Sequence, residues 1–266
     1  MLRGLTSDGV DSGPVTPIQN ILLGAQDVDL EFIIGVLKSP LSFSADGVME
    51  RAMSEFDRER SPEAKRGLAC ILDRELRYAG SSDLAYLVRW LWSDDAGVRP
   101  ERLLADVAHK LNVKLRTIGS FEGKLQRLVQ SVAEKELLEM DPERQQELVT
   151  SQGIGTSTAQ ELLRHLKQKG PVSGVPLLIT LAGREAGERI ATALVVRVIT
   201  VILGRHAAAQ LIKSLAARFP WWADWIGPAA WAVTGAWVAH DVQGPAFRKT
   251  IPVTLYLGLV MMREHA

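Results

Sequence analysis

Three groups of residues have types and spacing that could carry chemistry. Gly153-Ile154-Gly155-Thr156-Ser157-Thr158-Ala159, followed by Leu162 and Leu163, is the sharpest local motif. A glycine–hydrophobe–glycine turn opening a helix leaves the first helical amides free, and these can hold a phosphate without help from any particular side chain. Gly153, Gly155 and Thr156 are the candidate phosphate contacts. Glu161 and His165 lie four residues apart on one helix face, a spacing that suits a metal pair. No HExxH and no second histidine nearby completes it, so an exposed helix pair is the expectation and no metal site is assigned. Cys70 is the single cysteine, which excludes an intrachain disulfide and any multi-cysteine metal site. It falls among Leu68, Ile71 and Leu72 and reads as a small core hydrophobe. No Walker A, GxGxxG, GxSxG or CxxC pattern occurs. The sequence therefore assigns no catalytic residue, no cofactor and no small-molecule substrate, and the expectation is a non-enzyme.

The glycine turn resembles the hairpin of helix-hairpin-helix DNA-binding modules. Gln152 stands where those modules carry proline, Ser151 stands where they carry a hydrophobe, and only one copy is present. Charge adds little. The 31 Lys+Arg balance 31 Asp+Glu, and residues 171–266 carry 9 Lys+Arg against 5 Asp+Glu. Such an imbalance excludes a strongly basic nucleic-acid module. A plain turn between packed helices is preferred over DNA binding.

A third group is apolar. Five of the seven tryptophans, Trp221, Trp222, Trp225, Trp231 and Trp237, fall between Phe219 and Pro245. Tryptophan suits the boundary between apolar matrix and water, so these five are the candidate partner or membrane surface. Ala232, Gly235, Ala236 and Ala239 share a face of small residues on which another helix can pack closely. The longest uncharged run here, Trp225 to His240, is 16 residues, short of the roughly 20 that a spanning helix needs. Arg197 interrupts the other apolar run, Ile190 to Gly204.

The elements that must position these residues all read as helices. Ser61-Pro62-Glu63 supplies an N-cap, a proline at the first helical position and a first-turn acid, with Gly80 as the stop, so the pattern predicts a helix over 62–79. Asp141-Pro142-Glu143 repeats the device. Pro100 opens a helix with Leu103, Leu104, Val107 and Leu111 on one face, ended by Asn112. Ser120 opens another, carrying Leu125, Leu128, Val129 and Val132. Thr158 and Glu161 are expected to form a capping box. A break is expected at Gly204, hinges at Gly204 and Gly227-Pro228, and the last apolar helix from Thr250-Ile251-Pro252 to about Met262.

Gly244-Pro245-Ala246-Phe247-Arg248-Lys249-Thr250-Ile251-Pro252, with the apolar Val253 to Met262 after it, resembles the C-terminal motif of the YaaW-like bacterial family. Further similar blocks are Asp27-Val28-Asp29-Leu30-Glu31-Phe32-Ile33, Gly80-Ser81-Ser82, Leu104-Ala105-Asp106-Val107, Met140-Asp141-Pro142-Glu143 and Gly227-Pro228-Ala229, so the resemblance spans 27–263. Part of that family is likened to ubiquinol–cytochrome c assembly chaperones. The resemblance implies a helical, non-enzymatic, protein-binding fold. It singles out Phe247, Arg248, Thr250, Ile251 and Pro252, whose plain roles are helix entry and burial.

The expected architecture is all-α: a loose tail over 1–26, an antiparallel helical array over 27–170, and an apolar Trp/Gly/Ala-rich helical unit over 171–266. The expected function is a chaperone- or adaptor-like interaction protein, cytoplasmic or peripheral at the inner membrane, whose C-terminal helices engage an unidentified protein partner or a membrane surface. Two rivals stand beside it. One is a membrane-perturbing effector of bacterial conflict that keeps its C-terminal helices sheathed. The other is backbone contact with DNA through the Gly153–Gly155 turn.

Overall fold

The computed structural model describes residues 14–38, 43–80, 97–115, 118–151, 155–169, 180, 183–216 and 245–264. Among them are ten α-helices and no strand, so the protein is all-α. In chain order these are α1 (Pro17–Gly24), α2 (Asp27–Leu37), α3 (Phe43–Glu59), α4 (Pro62–Ala79), α5 (Pro100–Lys110), α6 (Phe121–Glu139), α7 (Pro142–Ser151), α8 (Thr156–Lys169), α9 (Arg184–Ala216) and α10 (Pro245–Glu264).

Caps set most of the starts. Ser61 Oγ accepts from the Ala64 amide and Ser120 Oγ from the Gly123 amide, each at 3.1 Å. These satisfy helix-start donors that would otherwise be orphaned. Asn112 takes a left-handed φ of 53° just after α5, a conformation asparagine adopts more readily than most residues.

Residues 14–26 correct the expected tail. Thr16 and Gln19 form a reciprocal capping box, with Gln19 N donating to Thr16 Oγ1 and Thr16 N to Gln19 Oε1. Ile18, Ile21 and Leu22, at i, i+3 and i+4, then bury their side chains in the core.

α10 is the axle of the molecule. Ile251 through Gly258 are buried without interruption, and eight residues turn through more than two full turns, so every face of this stretch is enclosed. α1, α2, α4, α5, α6 and α9 all pack against it. α6 forms the opposite wall with Leu125, Leu128, Val129, Val132 and Ala133, each inaccessible to water. The first half of α9 lies against α6, α10 and α2, burying Ile190, Leu194, Val195, Val198 and Ile199. These parts of 171–266 therefore share one hydrophobic core with the 27–170 array.

Three helix boundaries differ from the sequence expectation. α9 runs unbroken through Gly204 for 33 residues. One interior glycine costs about 1 kcal/mol, less than a long helix with a buried half can absorb. α8 begins at Thr156, where Gly155 O accepts from Ala159 N at 2.9 Å, so Thr158 lies inside the helix and is not its cap. α10 starts at Pro245, seven residues before Pro252, which sits in the helix interior. Pro245 supplies the pre-set φ of a first helical residue, while Pro252 removes one backbone donor and is tolerated inside the packed core. The Gly227-Pro228 hinge lies outside the described residues.

Glycine at 258 sets how closely α6 and α10 approach. A Cβ there would collide with Val129 Cγ2 and press on Leu125. Gly67 in α4 faces open space. In urea melts, Gly258→Ala should lower stability by about 1–3 kcal/mol through overpacking, while Gly67→Ala should raise it by roughly 0.5–1 kcal/mol.

Candidate functional site

The chemistry-bearing side chains brought together here are buried charges, and each described group joins separate helices. Asp29 stands in the first turn of α2, fully buried, with its Oδ2 accepting from the Gln26 amide at 2.7 Å. Tyr256 Oη donates to Asp29 Oδ1 at 2.8 Å, and Arg263 Nη2 donates to Oδ2 at 2.7 Å. Phe32, one turn along α2, packs its ring on Tyr256 with centroids 4.3 Å apart. Burial alone would raise the Asp29 pKa. The hydrogen bonds from Arg263, the Gln26 amide and Tyr256, with the Arg263 charge, outweigh it and hold the carboxyl below its ordinary value.

A second group lies between α6 and α9. Glu136 is fully buried and faces Arg197, Nε to Oε1 at 3.1 Å. Glu134 is also buried and faces Arg127 at 3.6 Å. Burial pushes the Arg197 pKa down, Glu136 opposes that, and the charge of Arg144 on α7 adds to the depression. A third group joins α4 to α1: Arg77 Nε donates to Asp73 Oδ2 at 3.2 Å, and Gln19 Nε2 donates to the same oxygen at 3.2 Å.

The described cleft lies where α5 ends against the start of α10. It encloses about 130 Å³. Leu103, Val107 and Phe247 form its wall, with Lys110 and His109 at the rim. The Lys110 ammonium sits 5.3 Å from the centre of the Phe247 ring, a cation–π contact. A space this small takes one short side chain or a few atoms, well under the volume of a typical ligand pocket.

The sequence-derived candidates divide as follows. Phe247 lines the cleft and is half-buried, Arg248 is exposed, and Thr250, Ile251 and Pro252 are buried in the axle. Lys249, between them, donates through Nζ to Leu37 O at 2.6 Å and caps the end of α2. Gly155 and Thr156 are exposed at the start of α8, and α8 packs on α7. Gly153 lies outside the described residues. So do Trp221, Trp222, Trp225, Trp231, Trp237, Ala232, Gly235, Ala236 and Ala239. Glu161 is exposed on α8, and among the described residues no group of three or more His, Cys, Asp or Glu is placed to hold a metal. Cys70 is half-buried on α4. Among the described residues no helix is long and apolar enough to cross a membrane.

Sequence reasoning missed Asp29, Glu136 and Arg197 as paired groups. Asp29 had a local signal, an acid three residues after Gln26, but its partners stand at the far end of the chain. Glu136 had one as well, a carboxylate beside the apolar positions of α6.

Comparison with known proteins gives one informative likeness. Over 247 residues the chain is 26% identical to a UPF0174 protein of Helicobacter pylori, covering 89% of this chain and 92% of that protein. The match supports kinship with an uncharacterised bacterial family. No family model matches the chain, and no solved structure does.

Asp29 yields a prediction whose sign follows from its lowered pKa. The unfolded chain takes up the proton first, so the stability Asp29 contributes is full above the ordinary value of 3.8 and is lost as pH falls through the lower folded value. Asp29→Asn should cost about 2–4 kcal/mol at neutral pH, since it removes the counter-charge of Arg263 and puts an NH2 donor where one of the two acceptor oxygens stood. In urea melts the gap between parent and variant should narrow below about pH 3.8. A gap as wide at pH 3 as at pH 7 would show that Asp29 is not held ionised.

Proposed function

We propose that the protein is a non-enzymatic, adaptor- or chaperone-like interaction protein that engages a protein partner through the tryptophan-rich stretch between α9 and α10. The observation that carries this reading is the enclosure of Ile251 through Gly258 at the middle of α10. The apolar character of 171–266 has two parts. α10 and the first half of α9 commit their apolar side chains to the core, so they are unavailable to a partner. Capacity to adhere therefore falls to Trp221, Trp222, Trp225, Trp231 and Trp237, with the small residues Ala232, Gly235, Ala236 and Ala239 among them. Tryptophan is the side chain most enriched at interface hot spots.

Chain connectivity adds support. This stretch joins the end of α9 to Pro245, the first residue of a helix held by six others. The buried carboxylates, each engaged with an arginine of another helix or turn, serve the fold in this reading. The YaaW-like resemblance points the same way, through the chaperone likeness attached to that family.

The test compares the full chain with a Trp221→Ser/Trp222→Ser/Trp225→Ser variant as bait in quantitative affinity capture from bacterial lysate. The variant should lose a specific partner by about thirty-fold or more, the effect of roughly 2 kcal/mol from a hot spot, while its melting temperature stays unchanged. Equal capture by both chains ends this reading. If neither captures protein but the parent alone floats with phosphatidylglycerol vesicles, the surface meets membrane instead.

A further inference from the structure

Two guanidinium groups near the α6–α7 junction each hold a buried nitrogen that has no hydrogen-bond partner. Arg197 extends from the middle of α9 to Glu136, and its Nη2 is buried with no hydrogen-bond partner. Arg144, in the first turn of α7, has a buried Nη1 that is likewise without a partner. The junction itself is firmly held. Gln145 Nε2 donates to Leu137 O at 2.8 Å and to Met140 O at 2.9 Å, stitching the first turn of α7 to the end of α6. That fixes Arg144 beside the segment carrying Glu136, near enough to Arg197 for the two positive charges to oppose each other.

The charges do not balance among the described residues. Glu136 faces Arg197 and Glu134 faces Arg127, while no ion pair joins Arg144 to a described carboxylate. Buried donors in native proteins are almost always satisfied by protein, water or an ion. Water would satisfy the two N–H groups and leave the charge. A chloride would balance the charge, yet it lacks two oxygens for two planar forks. Guanidinium pairs match phosphate and carboxylate oxygens best.

We propose that Arg144 and Arg197 form an internal receptor for a small oxyanion, a phosphate or carboxylate group that accepts from Arg144 Nη1 and Arg197 Nη2. The bound anion would also act as a tie. α7 and α8 pack on each other, and a bridge from Arg144 to Arg197 would fasten that hairpin to the long helix α9.

The full chain is melted in inorganic phosphate, in acetate and in chloride at equal pH and ionic strength. Phosphate or acetate should raise the melting temperature by about 3–6 °C at ten times its dissociation constant. A rise with phosphate alone assigns a phosphate group, and a rise with acetate alone assigns a carboxylate. Arg144→Gln should abolish the response while melting in chloride at or above the parent temperature, since the half-buried, unpaired charge is gone. Arg144→Lys keeps the charge without the fork and should retain only a minor part of the response. Calorimetric titration of the parent with inorganic phosphate or acetate should show binding that Arg144→Gln lacks. Equal responses of parent and Arg144→Gln, or no separation of phosphate and acetate from chloride, overturn the proposal.

Discussion

A helix enclosed on all sides satisfies its own backbone hydrogen bonds, but none of its side chains can turn to water. Its neighbours must then supply grooves of matching shape around the whole circumference. The middle of α10, Ile251 through Gly258, imposes that constraint on this protein. Its apolar run dictates the buried stripes of α1, α2, α4, α5, α6 and α9, and the close approach at Gly258 dictates the bulk of Val129 opposite. Interiors packed to crystal density tolerate little error in such a match.

Apolar packing alone fixes poorly how far a helix is rotated or slid along its axis. The buried ion pairs add that information. Asp29 grips both Tyr256 and Arg263, two turns apart on α10, and so fixes α10 against α2 in rotation and in height. Arg197 and Glu136 do the same for α9 against α6. Buried pairs of this kind contribute little net stability, because desolvation offsets the attraction, yet losing one partner is costly. Their value here lies in register. Arg263 keeps part of its side chain in contact with water, which eases the desolvation of that pair.

Helix starts were legible because their signals are local. Ser61 and Ser120 cap within three residues, Pro100 and Pro142 open their helices, and Asn112 turns the chain after α5. Breaks were less legible, because a glycine or proline is decided by what surrounds it. Gly204 passes through α9 and Pro252 through α10, since burial of the flanking residues outweighs the local penalty. Thr16-Pro17 with Gln19 carried the same capping signal as Ser61-Pro62, and the Gly-, Ser- and Pro-rich residues just before it masked the helix. The charged groups were harder still. Asp29 and Arg263 are 234 positions apart, and nothing near either names the other. Arg197 looked like an interruption of an apolar run, when it is an ion-pair partner of the buried Glu136.

The order of elements along the chain gives the axle a temporal consequence. α1, α2, α4, α5 and α6 are made long before α10, and Asp29 precedes its partner Tyr256 by 227 residues. At bacterial rates of synthesis, about 5–20 residues per second, that interval lasts roughly 10–45 s. The apolar stripes of the six helices that pack on α10 gain that partner only when the last of these elements has been made.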